Sequence, residues 1–234
     1  MSSVPHDWPT PGTIDGVIFD IHSTLVDQGD ADEWLDAALA VAPHPLSAVE
    51  RAELVAFLDR IWEGARITDP ESSRDLSFEA HSRVFHELIA AGPGVDRPLA
   101  NALYDVMLDT WRAYDDSVPT LRALREAGVA ICLVSNAGVP IRTVLDRDAI
   151  SAWVDAVVLS YEVGCVKPDP RIFEAALAAL ALPAASVLMV GDNANDDGGG
   201  AAMGIRTLIL PRTTGRVHGL AAVVALVLGM RERS

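Results

Sequence analysis

Residues 13–20 read TIDGVIFD: an unbroken apolar run, Gly16-Val17-Ile18-Phe19, is stopped by a carboxylate. A run with no polar alternation has no solvent-facing side. It predicts a parallel strand buried on both faces, with Asp20 delivered to its C-terminal edge. Four later segments repeat the pattern: 129–135 (VAICLVS), 156–160 (AVVLS), 186–191 (SVLMVG) and 207–210 (TLIL). Helical patterns fall between them at 119–127, 140–147, 170–181 and 197–203. The first of these opens on a proline and stops at Gly128, the usual order of helix punctuation. Strands alternating with helices imply right-handed βαβ units and a parallel sheet. The expected fold is therefore a three-layer α/β/α Rossmann-like core, whose active site lies at the carboxyl edge of the strands.

Residues 30–115 break this rhythm. They contain no strand-like run and predict four helices, at 32–41, 47–66, 77–91 and 97–113. The division that follows is a core from residues 1–29 and 116–234, with 30–115 inserted as a helical bundle over the sheet edge. The joints fall near 26–30 and 114–118. A last apolar helix is expected at 218–230, in a packing role.

Composition removes several classes of function. With 18 basic against 33 acidic residues the net charge is −15, which argues against nucleic acid or an anionic membrane as the main partner. A small anionic substrate needs only local positive charge. The longest apolar run, 220–228, is too short to span a bilayer. Residues 1–11 have neither a basic segment nor an apolar one, so no signal peptide is read there and a cytoplasmic location is expected. The two cysteines, Cys132 and Cys165, read as buried thiols. No GxxxxGK[ST] or dinucleotide-type glycine motif is present.

Chemistry-bearing residues follow the strands. Asp20 ends the first (FDIHSTLVD), Ser135 and Asn136 the second (VSNAG), Lys167 follows the third (CVKPDP), and Asp192, Asp196 and Asp197 follow the fourth (VGDNANDDGGG). Lys167 is the single lysine beside 17 arginines. Convergence of these groups would make a site for a metal and an anion, and hard oxygen ligands at that density suit Mg²⁺.

These four stretches, in this order and with an all-helical insertion after the first strand, resemble the four motifs of the haloacid dehalogenase-like (HAD) hydrolase superfamily with a helical cap of the first type. The resemblance runs from about Ile14 to Leu210. It implies Mg²⁺-dependent hydrolysis of a small phosphorylated metabolite through an aspartyl-phosphate. Asp20 matches the nucleophile, Thr24 the threonine of the same loop, and Ser135 the phosphate-binding hydroxyl, with Asn136 beside it. Lys167 matches the lysine that holds nucleophile and phosphate together. Asp192 matches a metal ligand and Asp197 the second acidic residue of that motif, with Asp196 as the alternative. The backbone carbonyl of His22 would be a further metal ligand.

One position departs from the pattern. The family's phosphatases carry a second aspartate two residues after the nucleophile, as acid and base; here that position is His22, followed by Ser23 where glycine is usual. Three readings follow: His22 performs the step itself; the step is lost, leaving a weak enzyme or a phosphometabolite-binding relative; or the chemistry is that of a haloacid dehalogenase. The acidic cluster argues against the last. The phosphonate-cleaving branch needs a cap lysine, and residues 30–115 have none. Within that block Trp34, Arg66, Arg74, His81, Arg83 and His86 are candidates to face the site. The five tryptophans read as core.

Overall fold

The computed structural model describes residues 12–231, so the N-terminal stretch read for a leader lies outside the described residues. Five parallel strands form one sheet: β1 Gly16–Phe19, β4 Ala130–Ser135, β5 Ala156–Leu159, β6 Val187–Gly191 and β7 Arg206–Ile209, in the order β5-β4-β1-β6-β7. Strand β1 is buried throughout and pairs on both edges, with Val17 opposite Ile131 and Leu188. Helices flank the sheet as expected. This order places the carboxyl ends of β4, β1 and β6 side by side, so Ser135, Asp20 and Asp192 start from adjacent positions on one edge.

On the core side, α6 (Ser117–Glu126), α7 (Arg142–Arg147), α8 (Ser160–Val163) and α9 (Pro170–Leu180) connect the strands. Helix α9 starts on Pro170, with the Asp169 side chain accepting from the Arg171 N–H. Residues Asp197–Met203 form a 3₁₀ segment rather than the expected α-helix. Three consecutive glycines there, Gly198 to Gly200, give the backbone little helical preference. The C-terminal helix α10 is Ala221–Arg231 and buries Val223, Val227 and Met230.

The inserted stretch holds α1 (Ala31–Val41), α2 (Ala48–Asp59), α3 (Ile61–Thr68), a 3₁₀ turn Ser73–Leu76, α4 (Phe78–Ala90) and α5 (Arg97–Thr110). Its helices are capped as the sequence suggests: Ser47 and Glu50 make a reciprocal capping box, Ser77 accepts from the Ala80 N–H at 3.1 Å, and Asp96 from the Leu99 N–H at 3.0 Å. Two expectations are corrected. The helix expected over 47–66 is two helices, α2 and α3, parted at Arg60 (φ −106°, ψ 12°), although Leu54, Leu58, Ile61 and Ala65 keep the spacing of a single apolar face across the break. The stretch expected to lack strands ends in one. Helix α5 stops at Thr110, and β3 (Arg112–Ala113) pairs antiparallel with β2 (Val26–Asp27). Strands of two residues leave no periodicity to read. At this joint Gly29 takes φ +80°, and a β-carbon on it would lie 2.4 Å from the Thr110 carbonyl oxygen. No helix among the described residues is long and apolar enough to cross a membrane.

Candidate active site

Asp20 leaves β1 with its backbone N–H bonded to the Val190 carbonyl at 2.9 Å, which fixes where its side chain starts. Lys167, in the loop between α8 and α9, reaches it across the sheet edge. Lys167 Nζ donates to Asp20 Oδ1 at 2.5 Å and to Asp197 Oδ1 at 2.6 Å. The other Asp20 oxygen accepts from Thr24 Oγ1 at 3.2 Å. Asp192, the first residue after β6, completes the group: one oxygen from each of Asp20, Asp192 and Asp197 lies within 4.8 Å of the others. Asp197 Oδ2 also accepts from the Asn193 N–H at 3.0 Å. The neighbouring Asp196 instead accepts from the Asn193 side-chain amide at 3.0 Å.

The electrostatics follow from burial. Asp20, Lys167 and Asp197 are all almost wholly removed from solvent. Desolvation raises the Asp20 pKa far above the usual carboxylate range, against the pull of Lys167 and with the push of Asp197 and Asp192. Desolvation also raises Asp192, to about 6, with Asp197 adding to it. Burial alone would lower the pKa of Lys167, but Asp197 and Asp20 outweigh it and raise the pKa, so the ammonium keeps its charge. Three carboxyl groups beside one ammonium leave a surplus of acidic groups over basic ones, which the raised pKa values of Asp20 and Asp192 express. A compact set of hard oxygen donors with that surplus fits a divalent cation such as Mg²⁺.

Ser135, at the end of β4, is buried and lines the same cavity, which has a volume of about 80 Å³. Asn136 lines it too, but its amide is engaged at both ends with the Lys167 backbone. Nδ2 donates to the Lys167 carbonyl at 3.1 Å, and Oδ1 accepts from the Lys167 N–H at 2.7 Å. The geometry therefore has Asn136 holding the lysine loop in place.

His22 packs against two indoles, with ring centroids 4.7 Å from Trp62 and 4.5 Å from Trp111. Burial pulls its pKa down to about 3, so the ring is neutral at pH 7. Its Nδ1 lies 3.4 Å from Ser23 Oγ, and its Nε2 is buried without a partner.

Of the candidates from the inserted stretch, Arg66, Arg74 and His81 line the cavity. The others lie elsewhere. Trp34 is buried and donates from Nε1 to the Leu103 carbonyl at 2.8 Å. Arg83 is exposed, 3.9 Å from Glu87, and His86 Nδ1 bonds the Ser82 carbonyl of its own helix at 2.7 Å. Trp111 is buried in the core as expected and Trp62 packs against that core, and both also line the cavity. Asp75 and Asn193 do so as well and had no sequence signal. Trp62 had one: it precedes Arg66 by four residues, hence on the same helix face. Both cysteines are buried with raised pKa values, Cys132 to about 12, so they are inert thiols.

Known proteins resemble this chain to different extents. A ribulose-1,5-bisphosphate 5-phosphatase from Halopiger xanaduensis is 34% identical over 207 residues, covering 82% of this chain and 83% of that protein. Haloacid dehalogenase-like hydrolase domain-containing protein 3 of Mus musculus is 32% identical over 116 residues. The match covers 48% of this chain and about half of that protein's length (46%). In fold, a crystal structure of 2-haloacid dehalogenase from Pseudomonas syringae superposes with a TM-score of 0.59 at 22% identity, over 93% of this chain and 99% of that one. The sequence pattern of the haloacid dehalogenase-like hydrolases matches residues 14–204, and the chain belongs to that family.

Proposed function

We propose that the protein is a Mg²⁺-dependent phosphatase that hydrolyses a small phosphorylated metabolite through an aspartyl-phosphate at Asp20. The observation that carries this reading is the single ammonium of Lys167 shared between Asp20 and Asp197, with Asp192 completing an oxygen cluster. The phosphatase name borne by the Halopiger relative supports it.

In this reading Asp20, Asp192, Asp197 and the backbone carbonyl of His22 would hold Mg²⁺. When bound, the ion supplies positive charge against the phosphoryl oxygens. An Asp20 carboxylate oxygen attacks phosphorus as the bond to the ester oxygen breaks, the electron pair leaving with that oxygen. Lys167 and Ser135 hold the phosphoryl oxygens, and Thr24 orients the second oxygen of Asp20. Water then attacks phosphorus, returning Asp20 and releasing inorganic phosphate. Residues 30–115 act as a cap that excludes bulk water and admits the substrate.

His22 has a particular part in this scheme. Its ring is neutral, with Nδ1 beside the Ser23 hydroxyl and Nε2 without a partner of its own. A neutral imidazole gives the leaving oxygen at most a hydrogen bond rather than a full proton. This favours a second, weaker reading, in which turnover is slow and binding of phosphometabolites dominates.

The test is turnover of an aryl phosphate with Mg²⁺, with chelator, and by the Asp20→Asn variant. Metal-dependent turnover abolished in the variant is expected. Halide release from a haloacid that persists in chelator would replace the proposal with a dehalogenase. Absence of turnover with measurable phosphate binding would leave the second reading.

A further inference from the structure

The part of the cavity wall supplied by the inserted helices carries donors without acceptors. Trp62 Nε1 and Arg74 Nε are buried and have no hydrogen-bond partner. Arg74 is only 6% exposed, and its remaining nitrogens are engaged: Nη1 with the Asp69 carbonyl at 2.9 Å, Nη2 with Asp75 at 3.4 Å. Arg66, one helical turn after Trp62 on α3, lines the same cavity and has no hydrogen bond or close ion pair among the described residues. Its charge acts at longer range, on Asp192, Asp196 and His22.

Tryptophan and arginine side chains donate hydrogen bonds and cannot accept them. A buried donor without an acceptor is costly, and such exceptions in a folded protein call for a reason. Here the two residues that carry them line one cavity together with Arg66, whose guanidinium has no close carboxylate partner. Resting on the phosphatase reading above, we infer that the leaving half of the substrate carries a carboxylate received by Trp62, Arg66 and Arg74, so that the substrate is a phosphorylated hydroxy acid of a few carbons. A hydroxyl would bring an acceptor but leave the Arg66 charge unmatched. A carboxylate brings two oxygens and the opposite charge, the arrangement that guanidinium groups bind best. Asp75 on the same wall does not oppose this. Its carboxyl is paired with Arg74 Nη2 at 3.4 Å, so its charge is matched within the wall. The small cavity, bounded by Trp62 and Trp111, limits the carbon count.

The experiment compares 3-phosphoglycerate with glycerol 3-phosphate, which has the same number of carbons but no carboxylate. Both are titrated calorimetrically with Mg²⁺ into the full chain carrying Asp20→Asn. We expect the carboxylate compound to bind at least about 10-fold more tightly. Arg66→Gln and Trp62→Phe, each added to that background, should cut the preference about 5-fold or more, and Arg66→Lys should retain part of it. Equal affinities, or a preference that neither substitution alters, would overturn the inference. Aryl phosphate turnover by the wild-type protein is measured alongside. Turnover with equal affinities sinks the carboxylate inference alone. The preference without turnover sinks the catalytic reading alone, and absence of binding by either compound sinks both.

Discussion

Gly191 ends β6 directly beneath the Asp197 carboxylate: a β-carbon on Gly191 would lie 2.0 Å from Asp197 Oδ2 and 2.2 Å from its Cγ. That space exists only because residue 191 has no side chain. Gly191→Ala should therefore displace Asp197 from Lys167 and from the acidic cluster while the sheet hydrogen bonds of β6 persist. The expected result is a fall in kcat/KM of about 100-fold, the order that a displacement of about 1 Å costs at a catalytic centre. Weaker Mg²⁺ dependence should accompany it. Wild-type kinetics in the variant would show that the position of Asp197 is immaterial.

Lys167→Met tests what holds the cluster together without metal. The substitution removes the one ammonium bridging two buried carboxylates and leaves both unpaired. Breaking a buried pair from one side costs about 3–5 kcal/mol. In chelator the denaturation midpoint should drop accordingly, and Mg²⁺ should recover part of the loss by neutralising the same carboxylates. A midpoint unchanged in chelator would mean that the carboxylates carry protons and need no counter-charge.

His22→Asp separates leaving-group assistance from the rest of the chemistry. A neutral imidazole packed against Trp62 and Trp111 gives up no proton near pH 7. A carboxyl group at this place can donate and recover one. The substitution should raise kcat on an alkyl phosphate, whose leaving oxygen needs protonation, by about 100-fold, the lower end of general acid catalysis. An aryl phosphate, with its better leaving group, should gain little. A loss on both substrates would instead make the imidazole indispensable.

Mg²⁺ affinity has a readout independent of turnover. If Asp20, Asp192 and Asp197 hold the ion in the folded state only, saturating Mg²⁺ at about 100 times its Kd stabilises the fold by about 2.7 kcal/mol. The melting temperature should rise with Mg²⁺ in the wild-type protein and much less in Asp192→Asn. An equal rise in both would place the ion elsewhere.

The strand ends were legible because buried parallel strands read as unbroken apolar runs, and a polar residue at the end of such a run can lie only at the sheet edge. That reasoning brings Asp20 and Lys167 together across 147 residues of sequence. What stayed hidden had no periodic signature. The β2–β3 pair has two residues per strand, and the break at Arg60 leaves the apolar spacing of 54, 58, 61 and 65 continuous, so the pattern does not mark it. An indole facing a cavity and one facing a core occupy the same positions in an amphipathic helix, so Trp62 could not be told from a packing residue. The orientation of the Asn136 amide toward the Lys167 backbone depends on a loop whose path no local pattern specifies.

His81 gives the fold a pH dependence of definite sign. Its ring is 1% exposed, stacks on Phe85 at 4.2 Å and shares a hydrogen bond with Tyr104 Oη at 3.1 Å. Burial, and then the charge of Arg74, pull its pKa from 6.5 to about 3. Between those values the unfolded chain binds a proton at this position and the folded chain does not. Stability is therefore complete above about pH 6.5 and is lost as the pH falls toward 3. At pH 5 the loss from this one residue is about 2 kcal/mol. His81→Phe removes the titration while keeping an aromatic ring against Phe85. Other titrating groups, His22 with the same sign and Asp75 and Asp192 with the opposite one, are common to both proteins and cancel in the difference. Denaturant melts at pH 7 and pH 5 should show the wild-type protein losing about 2 kcal/mol more than the variant. Parallel losses in the two proteins would mean that His81 takes up its proton without unfolding.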